Sequence, residues 1–369
     1  MAEKRKTICM LLSTHYSAFM GGAQYQAKCI LDGLIPTNKY NIHYITRRVD
    51  PNFTPEGYKI HQISSDKNVS RLSFYFDSIQ LYKILKEINP DVIYQRVAGP
   101  YTGIAAYYAK KNNCKMIWHV AHTTDVTPHE NVASANFILK FLERTFVEYG
   151  LRNATYIVAQ TEEQSKLLDK YYGRKSDKIV PNFHPTPKGS LDKSDEISVV
   201  WIANFKPWKQ PDVFVRLAKD LQMLNNVHFV MIGALQGGNT EWREKLKCDM
   251  DELNNLIYKG KMTQNDINDL LARAHIFVNT SLHEGFANTF IQAWMRKVPV
   301  VSLHVNPDHI FDRFEIGYCS DTYEELLENV KNLILNKEQR VAMGNSSKVY
   351  AQQYHSFKNV ELLMELLDS

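Results

Sequence analysis

At 369 residues the chain is too long for one ordinary hydrophobic core and suits two domains. Hydrophobic residues at 44% and charged residues at 23% exclude a disordered or fibrous polymer. A net charge of +4 is too slight a basic excess to indicate nucleic acid, although it favours anionic substrates and membrane surfaces.

In chain order, the first segment is a basic stretch followed by the short apolar run Thr7 to Leu12. This resembles a secretory leader, but the run is too short and no small-residue cleavage site follows, so a buried strand is expected. Ala23 to Leu34 has helical spacing, Asn41 to Thr46 reads as a strand, Phe74 to Ile88 as a helix and Asp91 to Tyr94 as a strand. Gly103 to Lys110 is helical and leads to the strand Met116 to Ala121. Alternation of this kind predicts βαβ units and a parallel sheet.

The proline-rich, mixed-charge stretch Pro181 to Glu196 reads as a linker. Beyond it the alternation restarts: strand Ile197 to Ala203, helix Asp212 to Leu224, strand Val227 to Ile232, helix Glu241 to Leu256, strand Leu256 to Tyr258 and helix Asn265 to Arg273. The strand Ala274 to Asn279 precedes His-Glu-Gly-Phe-Ala-Asn-Thr-Phe-Ile-Gln-Ala-Trp294, and Val298 to Ser302 follows as another strand. Lys337 to Ser369 is helical throughout by pattern. The expected fold is α/β, with two doubly wound domains, a cleft between them, and ligands at the carboxyl ends of the strands.

The five cysteines (Cys9, Cys29, Cys114, Cys248 and Cys319) form no C-x-x-C, so a reducing, cytoplasmic setting is expected, with neither a zinc site nor a disulfide framework. No apolar run approaches the roughly 20 residues that span a bilayer.

Several stretches carry chemistry. Gly21-Gly22, at the mouth of the first helix, lets backbone approach a ligand and offers helix N–H groups to an anion; an ordinary tight turn is the alternative. It is not a dinucleotide fingerprint. His119 and His122, three apart on a strand, face opposite ways and make poor joint metal ligands; His119 reads as packed and His122 as a strand-end group facing a cleft. Ala203-Asn-Phe-Lys-Pro-Trp-Lys209 is a stiff loop with two lysines, which either neutralise a departing phosphate or are simply solvated. Asp249 and Asp251 sit on a helix about 200° apart and read as surface carboxylates rather than a metal clamp. Asn136 to Leu151 carries an apolar stripe that predicts helix packing, with membrane-surface contact as the other reading. Gly285 to Thr289 presents N–H groups at a helix start, Glu284 can accept from a polyol, and Gln292 lies about two turns on; Asn288 or Thr289 as a plain helix cap is the structural alternative.

Taken together these residues resemble the GT-B glycosyltransferases, specifically the retaining enzymes of glycosyltransferase family 4. The resemblance runs through Gly21-Gly22, Val158-Ala-Gln-Thr-Glu162, Ile179-Val-Pro-Asn182 and Lys209; its most specific block is Asp269 to Phe286 with Pro299-Val-Val301. It implies an acceptor-binding domain over 1–184 and a donor-binding domain over 190–351, with a terminal helix of about 352–369 packing back on the first. It implies a hexosyltransferase that moves sugar from a nucleoside-diphosphate sugar, most simply a UDP-sugar, to a hydroxyl of a glycan or lipid-linked acceptor. The anomeric configuration would be retained, with no metal and no other cofactor. Surface polysaccharide, lipopolysaccharide or glycolipid synthesis on the inner membrane face would be its setting, with peripheral contact through the first domain.

By the same resemblance Lys209 binds the diphosphate. Gly21, Gly22, Gly285, Phe286, Ala287, Asn288 and Thr289 bring backbone to phosphate and sugar, and Lys261 and Met262 line the base. Glu284 and His122 contact the transferred sugar at the reacting centre. The chain departs from the family pattern at Asn204, where arginine is usual, at Gln292, where a glutamate contacts ribose, and at Lys297, where glycine is common. The departures at Asn204 and Gln292 keep open a non-catalytic scaffold or activator of a partner transferase; a sugar-nucleotide epimerase is a third reading.

Overall fold

A computed structural model describes residues 5–63, 73–128, 137–187, 191, 193–235 and 238–369, with side chains at 73–76 and 137–140 outside the description. The chain divides into two units, residues 1–183 with 357–369, and residues 184–356. Each is a parallel sheet with helices on both faces.

The first unit runs β1 (Lys6–Leu11), α1 (Gly22–Leu34), β2 (Tyr40–Thr46), β3 (Lys59–Gln62), α2 (Ser73–Ile88), β4 (Val92–Arg96), α3 (Pro100–Lys111), β5 (Lys115–His119), α4 (Phe137–Asn153), β6 (Tyr156–Ala159), α5 (Glu162–Tyr172) and β7 (Lys178–Ile179). The strand order is β3-β2-β1-β4-β5-β6-β7. Residues of β1 alternate between two cores: Ile8 and Met10 pack with the α1 residues Ile30 and Leu31, while Cys9 and Leu11 pack with Leu81, Leu85 and Trp118. A parallel sheet buried on both faces needs continuous apolar strands, which explains why these runs carry no polar alternation.

The second unit runs β8 (Ile197–Ile202), α6 (Pro211–Asp220), β9 (Val227–Ile232), α7 (Thr240–Asp251), β10 (Leu256–Tyr258), α8 (Gln264–Arg273), β11 (Ile276–Asn279), α9 (Asn288–Trp294), β12 (Val300–Ser302), α10 (Ile310–Arg313), β13 (Gly317–Cys319), α11 (Tyr323–Leu335) and α12 (Lys337–Tyr354). Its order is β10-β9-β8-β11-β12-β13. Val199 and Trp201 pack on Phe214 and Leu217, and Val200 on the other face meets Phe277, Phe290 and Ile291.

Several elements end earlier than their pattern; α6, expected to run to Leu224, stops at Asp220. The helix expected to reach Leu256 stops at Asp251, and a turn closed by Leu256 N–H on Leu253 O (3.5 Å) starts β10. The tail is not one helix: α12 ends at Tyr354, and α13 (Asn359–Asp368) is separate. Its residues Val360, Leu363 and Leu367 enter the core of the first unit beside Leu31 and Leu34. Lys6 Nζ donates to the carbonyls of Leu367 (2.7 Å) and Asp368 (2.9 Å), and Tyr40 OH donates to Asp368 Oδ1 at 2.8 Å. α4 packs closely on α3: a Cβ on Gly103 would lie 2.5 Å from Phe146 O, so only glycine fits there. Phe141, on the same helix, stays 60% exposed.

Candidate functional site

An open parallel sheet binds ligands outside the strand ends where its order reverses. In the second unit that point lies between β8 and β11, which pair through Ile276 with Val199 and Phe277 with Val200. The loops leaving these two strands carry Asn204, Lys209 and Glu284.

The loop after β8 is fixed against β9. Ala203 N–H bonds Ile232 O (3.1 Å), Phe205 N–H bonds Ala234 O (2.9 Å), and the Phe205 ring packs edge-on at 5.0 Å against Trp201. Gly233 makes the close approach possible, since at φ +148° a Cβ there would sit 1.8 Å from Ala203 O. A short 3-10 turn, Pro207–Lys209, follows, and Gln210 ends it in the left-handed region at φ 46°. Lys206 Nζ stands 4.7 Å from the centre of the Trp208 ring.

The loop after β11 is tied to this one. The Thr280 hydroxyl accepts from Trp201 Nε1 at 2.9 Å and lies 2.7 and 2.9 Å from the carbonyl oxygens of Lys209 and Gln210, to which its single proton donates. Leu282 N–H donates to Trp208 O at 2.9 Å. Lys209 Nζ then forms an ion pair with Glu284 Oε1, which also accepts from Ser281 Oγ at 3.0 Å. Ser281 is itself held by Asn279, whose Oδ1 accepts its N–H (3.1 Å) and whose Nδ2 donates to its hydroxyl (3.2 Å). A cation and an acid are thus fixed on neighbouring loops at the switch point, both mostly shielded from water with 17% and 15% of their side chains exposed.

Past Glu284 the chain turns through Gly285, Phe286 and Ala287 into α9. Ala287 is the N-cap and supplies no side-chain bond. That corrects the plain-cap alternative for Asn288 or Thr289: both are helical residues, and the Asn288 side chain bonds His184 instead. Phe286 is buried with its ring 4.6 Å from that of His355. Gln292 is 3% exposed, and its Nε2 donates to Asn268 Oδ1 on α8 at 2.9 Å. Arg296 closes this corner by donating to Asn268 O (2.8 Å) and Gln292 O (3.1 Å). Lys261 and Met262 follow β10, with Lys261 exposed and Met262 half-buried against the α9 core.

The remaining sequence-derived candidates belong to the first unit. Gly21 is the N-cap of α1 and Gly22 its first residue; a Cβ on Gly21 would lie 2.7 Å from Gln24 Oε1 and 2.8 Å from Phe19. β5 ends at His119, and His122 caps the 3-10 turn Thr123–Asp125, its Nδ1 2.9 Å from Thr124 Oγ1. Asp125 Oδ2 accepts from the N–H groups of Ala121 (2.9 Å) and His122 (3.0 Å), and burial raises its pKa. Thus Lys209, Glu284, Asn204 and the 285–289 turn gather at one switch point, whereas Gly21, Gly22 and His122 gather at the carboxyl edge of the other sheet. Sequence reasoning passed over Thr280 and Ser281, the residues that join the two loops; a Thr-Ser pair directly after a buried strand was the available signal. It also passed over Arg96, which ends β4.

Asp249 and Asp251 flank the buried Met250 near the end of α7. Among the described residues no group of three or more His, Cys, Asp or Glu gathers around a common point, and no helix is long and apolar enough to cross a membrane.

Residues 185–350 match the family model described as Glycosyl transferases group 1, and residues 24–161 match Glycosyl transferase 4-like. An uncharacterised glycosyltransferase of Methanocaldococcus jannaschii is 24% identical over 246 residues, 60% of this chain and 58% of that protein, so the match spans little more than half of that relative. The UDP-Gal:alpha-D-GlcNAc-diphosphoundecaprenol alpha-1,3-galactosyltransferase of Escherichia coli is 21% identical over 363 residues, 90% of both chains. HepE from Anabaena, solved in complex with UDP and glucose, superposes with a TM-score of 0.75 at 15% identity, covering 99% of this chain and 100% of that one.

Proposed function

This chain belongs to the GT4-type glycosyltransferases with the GT-B fold, and on that premise we propose that it transfers a sugar from a UDP-sugar to a hydroxyl of a glycan or lipid-linked acceptor, with retained configuration. The carrying observation is the Lys209–Glu284 pair, anchored by Thr280 and Ser281 at the switch point of the second unit. In a nucleotide-sugar the diphosphate and the sugar hydroxyls are adjacent, and the pair offers a cation and an acceptor side by side. Lys209 neutralises charge that builds on the leaving diphosphate, and Glu284 accepts from the sugar as it gains oxocarbenium character. The leaving phosphate takes the proton of the incoming hydroxyl, so no metal is called on. Gly22 and the 285–289 turn contribute backbone N–H groups, Lys261 and Met262 border the base, Gln292 accepts from ribose, and His122 supports the reacting centre.

The UDP named in the E. coli relative and held by HepE supports the choice of donor, and the diphosphoundecaprenol in the relative's name supports a lipid-linked acceptor. A setting at the inner membrane face, with the exposed Phe141 of α4 touching lipid, fits that acceptor. A scaffold without activity is the second reading, favoured by Asn204, which leaves the loop one cation short of the family pattern. Calorimetry with UDP, GDP, ADP and CMP and their sugars separates the two. Binding and turnover of a UDP-sugar, lost in Lys209→Ala and Glu284→Ala, is expected; a folded parent that binds no nucleotide would establish the scaffold.

A further inference from the structure

The first sheet reverses its order between β1 and β4, and β4 ends on Arg96. This residue is 2% exposed, and the side-chain groups that meet it are neutral. Its Nη1 points at His119 Nδ1 (3.1 Å) and donates to Tyr94 OH (3.4 Å), while Nη2 donates to Asn182 Oδ1; Nε is buried with no partner. Burial and the Arg96 charge hold the His119 pKa well below its usual value, and burial raises that of Tyr94, so neither supplies a counter-charge. Among the described residues, the ion pairs of the first unit all lie elsewhere.

A buried guanidinium without a carboxylate is costly, and an apolar side chain of the same volume would serve packing better. The charge stands beside the crevice where this sheet should take a ligand. The helix that follows β4 adds to its field: α3 starts behind the N-cap Gly99, with no acid in its first turn.

We propose that the crevice outside β1 and β4 is an anion subsite for the diphosphate ester of the acceptor, with Arg96 as its counter-charge. The identity of that anion as an acceptor rests on the function proposed above. Arg96 is shielded, so it acts through its field and through the placement of His119 and Asn182; it is a positioning residue.

The test titrates the full-length protein, saturated with UDP, with farnesyl diphosphate, farnesol and inorganic pyrophosphate in a calorimeter. The parent should bind both diphosphates and not farnesol. Arg96→Met should weaken them about tenfold or more, Arg96→Lys should stay within about threefold of the parent, and UDP affinity should hold in both variants. Binding of pyrophosphate but not farnesyl diphosphate would support the subsite and assign it to a free diphosphate. A parent that binds neither diphosphate, or a folded Arg96→Met that binds them as the parent does, overturns the proposal. Arg96→Gln takes the place of Arg96→Met if the latter does not fold. Failure of the parent to bind UDP overturns the donor assignment instead, and the diphosphate titrations then decide the subsite without it.

Discussion

Lys209 and Glu284, 75 positions apart in sequence, meet as an ion pair where the second sheet reverses its strand order. The pair is a consequence of topology: β8 and β11 are neighbours in the sheet, so the loops that leave them are neighbours too. Removing either partner leaves a shielded charge alone, and a cost of about 1–3 kcal/mol in stability is expected. Activity should fall much further. Glu284→Gln keeps the shape, and a loss of roughly 100-fold or more in kcat is expected where a fixed group stabilises the transition state. Steady-state kinetics with a UDP-sugar, beside thermal melts, would check this; a Glu284→Gln variant of parental kcat would remove Glu284 from the reacting centre.

Gln292→Glu should be tolerated. The Gln292 amide donates to Asn268 Oδ1, and a carboxylate there needs a donor instead. The Asn268 carboxamide can turn to present Nδ2, and the positive Arg296 stands beside both residues. Stability within about 1 kcal/mol of the parent and unchanged UDP affinity are expected. A tenfold loss of UDP affinity would show that the amide nitrogen, not the oxygen, serves the nucleotide.

Gln210, which follows Lys209, lies in the left-handed region at φ 46°, and so does Lys297, where glycine is common in the family, at φ 57°. A side chain there costs about 1–2 kcal/mol, against about 0.5–1 kcal/mol for the extra freedom of glycine in the unfolded chain. Lys297→Gly should therefore raise stability by roughly 0.5–1 kcal/mol, or a few degrees in Tm. Gln210→Gly should do the same and relieve a buried, unpartnered Oε1. Differential scanning calorimetry decides; a lower Tm in both variants would refute the strain argument.

Acid should destabilise the protein well above the carboxylate range. Burial pushes His15 and His275 down to about 4 and, with the charge of Arg296, His184 down to about 3. An unfolded histidine titrates near 6.5. Between about pH 6.5 and 4 the unfolded chain therefore binds more protons than the folded one, and stability rises with pH across that window. The contribution is complete above about 6.5 and is lost as the pH falls toward the folded values. Tm measured from pH 7.5 to 4.5 should decline steadily below about 6.5; a flat profile would mean these rings are not neutral in the fold.

The layered α/β architecture was legible because a two-sided parallel sheet demands unbroken apolar strands, and those runs stand out. Val227–Ile232 matches its expected limits to the residue. The break at His355 to Lys358 left no mark in the residue pattern, since Tyr354-His-Ser-Phe-Lys contains neither proline nor glycine; only the family resemblance, with its terminal helix of about 352–369, pointed to it. β3 and β7 escaped notice as a half-exposed edge and a two-residue strand. The loops with Lys209 and Glu284 could be named from their residue types, but their joining through Thr280 is a tertiary fact. Arg96 was harder still, because its significance lies in partners it does not have.

The return of α13 gives the molecule an order of assembly. The first unit is interrupted by the whole of residues 184–356 and is completed only by 357–369. On the ribosome, the apolar surface that Val360, Leu363 and Leu367 will cover must wait while an entire second sheet is synthesised. During that interval the second unit, whose residues are contiguous, has everything it needs to fold. The nascent first half is then the more exposed to chaperones and proteases, although it was made first.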